Sequence, residues 1–359
     1  MHYHTLYLYL SIVLLAGCSS STDGNVDRDS EPQRRGERIL AVDVNEAEGE
    51  SYDAVVNRAN SVGANTFSLS IGWDDLETAP GIYNPAIDLL AIANAYYPTR
   101  SASVALMIGP IDTNNDRFPS DLKGKPFDDS AVVNRYKRLL DYIFSKIPDL
   151  DLAVLAIGNE VDVFLGNDVE AWATYQRFFK ETASYARQLR PGLKVGVKVT
   201  LAGLRGTREK QARILNEKSD VILTTHYPLN GDFTVQDPSV ISADFNQVVE
   251  LYPNRSIWFM ELGYPSSPVC NSSEEKQGEF IREVFSAWDK HREEINYISF
   301  GIMSDRSQEA VEEFARYYGL NDQIFLEYLR TLGLRTYPNG GEDKVSWAVL
   351  KEESAKRGW

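Results

Sequence analysis

The chain has 359 residues, 43% of them hydrophobic, with 52 Asp+Glu against 37 Lys+Arg and a formal net charge of −15 at pH 7. That length suits one large α/β barrel or two ordinary domains, and the apolar fraction can fill a sizeable core. The acidic balance argues against a nucleic-acid partner, whose phosphates favour a basic face. Two cysteines and four histidines supply neither a disulfide framework nor a His-x-x-x-His metal motif, so no metal and no cofactor are expected.

The first element is the apolar run from Leu6 to Leu15. It is too short to span a bilayer as a helix and has the length of a signal-peptide core. The next residues, Leu15-Ala16-Gly17-Cys18, resemble the lipobox of bacterial lipoproteins. The resemblance implies removal of residues 1–17, lipid on Cys18 and attachment to the membrane through that anchor alone. The protein would then sit in the bacterial cell envelope, at the cell surface or facing the periplasm. The leader Met1-His2-Tyr3-His4-Thr5 has no Lys or Arg, a departure from the usual signal, and a plain secretory signal is the alternative. Residues 18–37, rich in Ser, Asp, Arg and Gly without an apolar period, read as a flexible tether.

From residue 38 short apolar runs alternate with amphipathic stretches. Eight runs have the length and β-branched content of strands, near 38–44, 65–72, 103–109, 152–159, 193–200, 220–226, 256–262 and 296–303. Asp168 to Arg190 is the clearest helix, with Trp172, Tyr175, Phe179, Ala183, Ala186 and Leu189 on one face, stopped by Pro191-Gly192. Tyr52 to Val62 is another, ended by Gly63 as a left-handed cap. Eight strand-helix alternations predict an α/β fold, a single (β/α)8 TIM barrel over residues 38–359. Runs such as Val154–Ile157, apolar on both faces, suit strands covered by helices. The tail from Gln323 to Gly358 is amphipathic, broken at 337–341, and is expected to pack on the barrel exterior. A monomer is expected.

Reactive groups of such a barrel stand at the C-terminal strand ends. Glu160 and Glu261 each end an apolar run there, and a carboxylate in that setting is costly to desolvate unless it has a partner or a task. Glycoside hydrolysis uses such a pair. Asn159 precedes Glu160, His226 and Tyr227 end the sixth run, and Trp73 follows the second. Trp73 is the candidate to stack on a sugar, because an aromatic face packs on the C–H face of a pyranose. His226 is either a sugar contact or a satisfied core histidine. Trp258, three positions from Glu261, is expected to point to the outer helices by strict alternation. Asp305 is expected to cap a helix over Gln308–Tyr317.

The Asn159-Glu160 pair after strand four, Glu261 after strand seven, and Trp73-Asp74-Asp75-Leu76-Glu77 with Pro80-Gly81-Ile82-Tyr83 after strand two resemble clan A of the glycoside hydrolases. The resemblance spans the chain from about residue 38. It implies a retaining enzyme cleaving a β-linked polysaccharide or oligosaccharide through a covalent glycosyl-enzyme. Glu160 would be the acid/base, Glu261 the nucleophile, Asn159 the partner of the sugar 2-hydroxyl and Tyr227 the residue that bonds the nucleophile. Clan members often carry a Trp after strand eight. The segment Ile298–Asp305 has none, so Phe300 or Met303 takes its place or the subsite differs in kind. Two rivals stand beside this reading. One is a non-catalytic cell-surface glycan-binding lipoprotein on the same barrel. The other is a lyase or aldolase using Lys198 as a Schiff-base amine.

Overall fold

The computed structural model describes residues 31–359. The apolar leader, Cys18 and most of the tether lie outside the described residues. All eight expected strands form. They are β1 (Ile39–Val42), β2 (Thr66–Gly72), β3 (Ser103–Asp112), β4 (Leu152–Asn159), β5 (split into Val195–Gly196 and Lys198–Thr200), β6 (Ile222–His226), β7 (Ile257–Leu262) and β8 (Ile295–Phe300).

Every neighbouring pair among them is parallel. β8 returns to β1 through Ile39↔Tyr297. The two halves of β5 complete the ring: the first pairs with β4 through Leu155↔Val195, the second with β6 through Leu223↔Lys198. One long helix follows each strand on the outside: Tyr52–Asn60, Leu89–Tyr96, Ser130–Lys146, Val169–Leu189, Glu209–Asn216, Val240–Leu251, Glu274–Lys290 and Val345–Arg357. Their starts are set by capping side chains. Ser51 accepts from Ala54 N–H, and Asp168 accepts from Glu170 and Ala171 N–H.

Two apolar layers result. The larger lies between strands and helices and contains Trp172, Tyr175, Phe178 and Trp288, all essentially buried. Each such side chain contributes roughly 1.5–3 kcal/mol on leaving water. The smaller fills the barrel lumen with Ala41, Ala105, Met107, Val154, Leu223 and Trp258 among others. Trp258 therefore points inward, against the expectation from alternation, and stacks on Tyr297 at 4.9 Å and 7°. A bulge is the reason. Between β6 and β7 the register slips, so Thr224 faces Phe259 while Thr225 faces Glu261. The extra residue, Met260, lets Trp258, Met260 and Glu261 all face the interior, while Phe259 stacks on Phe245 of an outer helix at 4.2 Å.

The C-terminal tail divides. Val345–Arg357 packs on Glu274–Lys290 outside the barrel, with Trp347 buried. Gln308–Tyr318 and Gln323–Arg330, inserted between β8 and that last helix, instead help to wall a pocket at the barrel mouth. Asp305 does not cap the first of these. Ser307 does so through Ala310 N–H, and Asp305 pairs with Lys344 at 2.7 Å.

Candidate active site

Glu160 sits one residue beyond β4 in the left-handed conformation, φ 44° and ψ 44°. A non-glycine residue there carries about 1 kcal/mol or more of backbone strain that its surroundings must hold. Gly158, at φ +90°, prepares the turn, and a Cβ at that position would meet the Tyr175 hydroxyl at 2.5 Å. The Glu160 carboxylate is held from the ends of two other strands, β6 and β3. Thr225 Oγ1 donates to Oε1 at 2.6 Å and Thr113 Oγ1 to Oε2 at 3.0 Å. Burial pushes its pKa up, the nearby Glu261 charge adds to this, and together they overcome those hydroxyls to place it at about 7.

Glu261 has the opposite surroundings. Burial also works against its charge, but Lys198 Nζ donates to Oε1 at 2.7 Å and the Tyr227 hydroxyl to Oε2 at 2.9 Å. The net result holds its carboxyl below the ordinary value. Lys198 comes from β5 and is itself buried. Desolvation works against its charge, yet Glu261 overrides this and raises its pKa. A lysine so paired is kept as a cation, which opposes use as a Schiff-base amine. Tyr227 can approach because residue 263 is glycine: a Cβ there would lie 2.4 Å from the Tyr227 ring. Behind this pair lies Asp43, half-buried, whose pKa is raised to about 6, by desolvation first and by Glu261 second. Ser299 Oγ donates to it at 3.2 Å.

Both glutamates line one pocket of about 350 Å³, with Asn159 and Tyr227 in the same wall. Asn159 Nδ2 donates to Asp112 Oδ1 at 2.8 Å, while its buried Oδ1 accepts no hydrogen bond within the described protein. The far wall is Phe233, Phe314, Tyr318, Phe325 and Tyr328, with Arg306 between them. None of these was singled out from sequence. The available signal was the aromatic density of 314–328 on helices too short to need it for a core of their own.

One expectation is corrected and two open alternatives are resolved. Trp73 is not a sugar platform. It begins the short helix Trp73–Leu76, is fully buried, and donates through Nε1 to Glu77 Oε2 at 2.7 Å. Glu77 also pairs with Arg135 and accepts from Gly81 N–H, so the Trp73–Gly81 motif is a buried structural staple. His226 is the last residue of β6, and its side chain points away from the pocket. Its Nε2 lies 2.8 Å from Asp244 Oδ2 on an outer helix, and burial lowers its pKa. Consecutive strand residues face opposite sides, so Thr225 takes the inward place and His226 the outward one. Phe300 and Met303 are buried and neither lines the pocket. Phe314, Tyr318, Phe325 and Tyr328 of the aromatic wall come from the inserted helices, and Phe233 comes from the loop after β6.

Among the described residues no group of three or more His, Cys, Asp or Glu is arranged to hold a metal ion. No helix among them is long and apolar enough to cross a membrane.

No family model matches this sequence, and no curated protein matches it. Solved structures do. A GH5_18 protein from Streptomyces cattleya in complex with GlcNAc superposes with a TM-score of 0.67 at 15% identity, covering 91% of this chain and 81% of the other. A GH5_18 protein from Bifidobacterium longum subsp. infantis gives 0.66 at 13%, covering 89% and 79%. A GH1 beta-glucosidase from the fungus Humicola insolens in complex with glucose gives 0.60 at 11%, covering 90% and 98%. At such identities the likeness is one of fold. The chain has the (β/α)8 architecture of clan A glycoside hydrolases.

Proposed function

We propose that the protein is a retaining glycoside hydrolase that cleaves a β-linked glycan. The observation that carries this is the electrostatic division of one pocket: a carboxyl raised to about 7 beside a carboxyl held down by a lysine and a tyrosine. A protonated acid next to an ionised nucleophile is what double displacement requires. A binding protein has no need of the division.

In the first step the Glu261 carboxylate attacks the anomeric carbon, and Glu160 gives its proton to the glycosidic oxygen, which leaves as an alcohol. In the second, ionised Glu160 takes a proton from water. The hydroxide adds to the anomeric carbon and the ester bond to Glu261 breaks. Tyr227 and Lys198 hold Glu261 ionised and oriented. The unpaired Oδ1 of Asn159 is matched to a sugar hydroxyl, an interaction that tightens in the transition state. The envelope location implied by Leu15-Ala16-Gly17-Cys18 would bring this site to extracellular or periplasmic polysaccharide or oligosaccharide.

The test is covalent trapping. A 2-deoxy-2-fluoro glycoside with a good leaving group should label Glu261, and Glu261→Ala should abolish labelling. Glu160→Ala should still label, and should slow natural glycans far more than activated aryl glycosides, since the lost group is the acid that protonates poor leaving groups. Equal damage to both substrate types would remove Glu160 from that role.

A further inference from the structure

The pocket has three charged lining residues, Glu160, Glu261 and Arg306. Glu261 is matched by Lys198 at 2.7 Å. Glu160 is neutral below about pH 7. Arg306 is therefore a surplus cation. Other arginines around the top of the barrel are matched: Arg117 with Asp74 and Asp75, Arg135 with Glu77 and Asp121, Arg205 with Asp244. Arg306 forms no ion pair among the described residues. Its Nη1 donates to the Leu329 carbonyl at 3.2 Å, and its guanidinium lies over the Phe314 ring, 4.3 Å from the centroid. Its backbone N–H donates to Arg330. The side chain is thus fixed at one edge and on one face, while a guanidinium carries five N–H donors in a planar fork. The walls beside it are aromatic, so an anion placed there would be partly desolvated and the pairing correspondingly strong.

We propose that Arg306 is the specificity residue of this pocket and pairs with an anionic substituent, a carboxylate or a sulfate, on the sugar bound beside Glu261. The substrate class is then an acidic glycan. This rests on the glycosidase reading of the same pocket. An unpaired guanidinium held over the Phe314 ring, in a chain of net charge −15, is the juxtaposition that carries it. Glu261 feels the charge of Arg306 across the pocket, but its ion-pair partner is Lys198 at 2.7 Å, which leaves the Arg306 fork without a bonded anion among the described residues.

The test uses methyl 1-thio-β-glycosides, which resist hydrolysis, in gluco, galacto and manno configuration. Each is supplied as the neutral sugar, the uronide and the 6-sulfate. Calorimetric binding to the full chain should favour an anionic member over its neutral partner by tenfold or more, and the better anion identifies carboxylate or sulfate. Arg306→Gln should bring the two to within twofold by weakening only the anion. Arg306→Lys, which keeps the cation, should retain part of the preference. Thermal melts of both variants keep loss of folding apart from loss of recognition. Neutral sugars bound as tightly as their anionic partners, no binding by any anion, or a preference that survives Arg306→Gln would each overturn the proposal. Fluoro-sugar labelling of Glu261 reads the glycosidase assignment separately, since it does not depend on which substituent is preferred.

Discussion

Lys198→Met removes the cation facing Glu261 and keeps most of the stem. Nζ lies 2.7 Å from Oε1, with the two side chains 6% and 23% exposed. Charges that close interact by roughly 6 kcal/mol at an effective dielectric of about 20. Glu261 is at a partly open mouth, so the net cost belongs near the lower end of the ~3–5 kcal/mol seen when a buried pair loses one partner. At roughly 2 °C per kcal/mol for a large domain, Tm should fall by about 6 °C. The kinetic consequence is more specific. In the wild type, kcat/KM declines on the acid side as pH falls through the depressed pKa of Glu261. On the basic side it declines as pH rises through about 7, where Glu160 loses its proton. Without Lys198, burial acts on Glu261 against Tyr227 and Arg306 alone, and its pKa rises. The last proton of the pair still leaves beside a charged carboxylate, and the lost cation favoured ionised Glu160 as well, so the basic limb does not move down. The two carboxyls titrate as a pair, so the bell should narrow from the acid side. The assay is kcat/KM of an activated aryl β-glycoside across the pH range in which the protein stays folded. An acid limb that does not move in Lys198→Met would refute the role given to the lysine.

Glu160 also bears on stability. Its raised pKa means that favourable linkage is complete below the ordinary carboxylate value and is lost as pH rises through about 7. Glu160→Gln should therefore raise Tm relative to wild type above pH 7 and change it little near pH 4; an equal shift at both would contradict the burial of an acid. Trp73→Ala should cost about 3–5 kcal/mol, as for other buried Trp, without raising KM in protein that remains folded. A raised KM with unchanged Tm would return Trp73 to the sugar site. Cys18→Ser should leave the protein unprocessed or free of the membrane, since stable anchoring takes more than one acyl chain. Mass spectrometry showing a mature N-terminus other than Cys18 contradicts the lipobox reading.

The barrel was legible because its signals are local. Each β-strand announces itself as an apolar run, and Asp168 with Trp172 and Tyr175 marks a helix by spacing alone. Glu160 and Glu261 stood out because acids rarely end such runs without cause. The bulge at Met260 was invisible, since a one-residue slip leaves composition unchanged while reversing which side Trp258 faces. Trp73 was misplaced because its partner Glu77 is ionic and buried, and nothing in Trp-Asp-Asp-Leu-Glu says which acid turns inward. Of the two readings of His226 the core histidine holds, because the neighbour Thr225 takes the inward position. Most of the far wall depends on where 306–332 folds back, which is a long-range fact with no local pattern.

That fold-back has an unusual base. Asp305 N–H donates to the Arg335 carbonyl at 2.8 Å, and Arg335 N–H donates to the Met303 carbonyl at 3.0 Å. Lys344 binds Asp305 at 2.7 Å across the same neck. The chain entering and leaving the excursion is thus clasped by residues that do not belong to it. Closing a loop of different length between fixed ends costs only about 0.6 kcal/mol per doubling. The segment 306–334 is a cassette: another could be spliced between Asp305 and Arg335 with the two glutamates left in place. On the function proposed above, cleavage would be written into the barrel and most of the choice of substrate into one exchangeable stretch of chain.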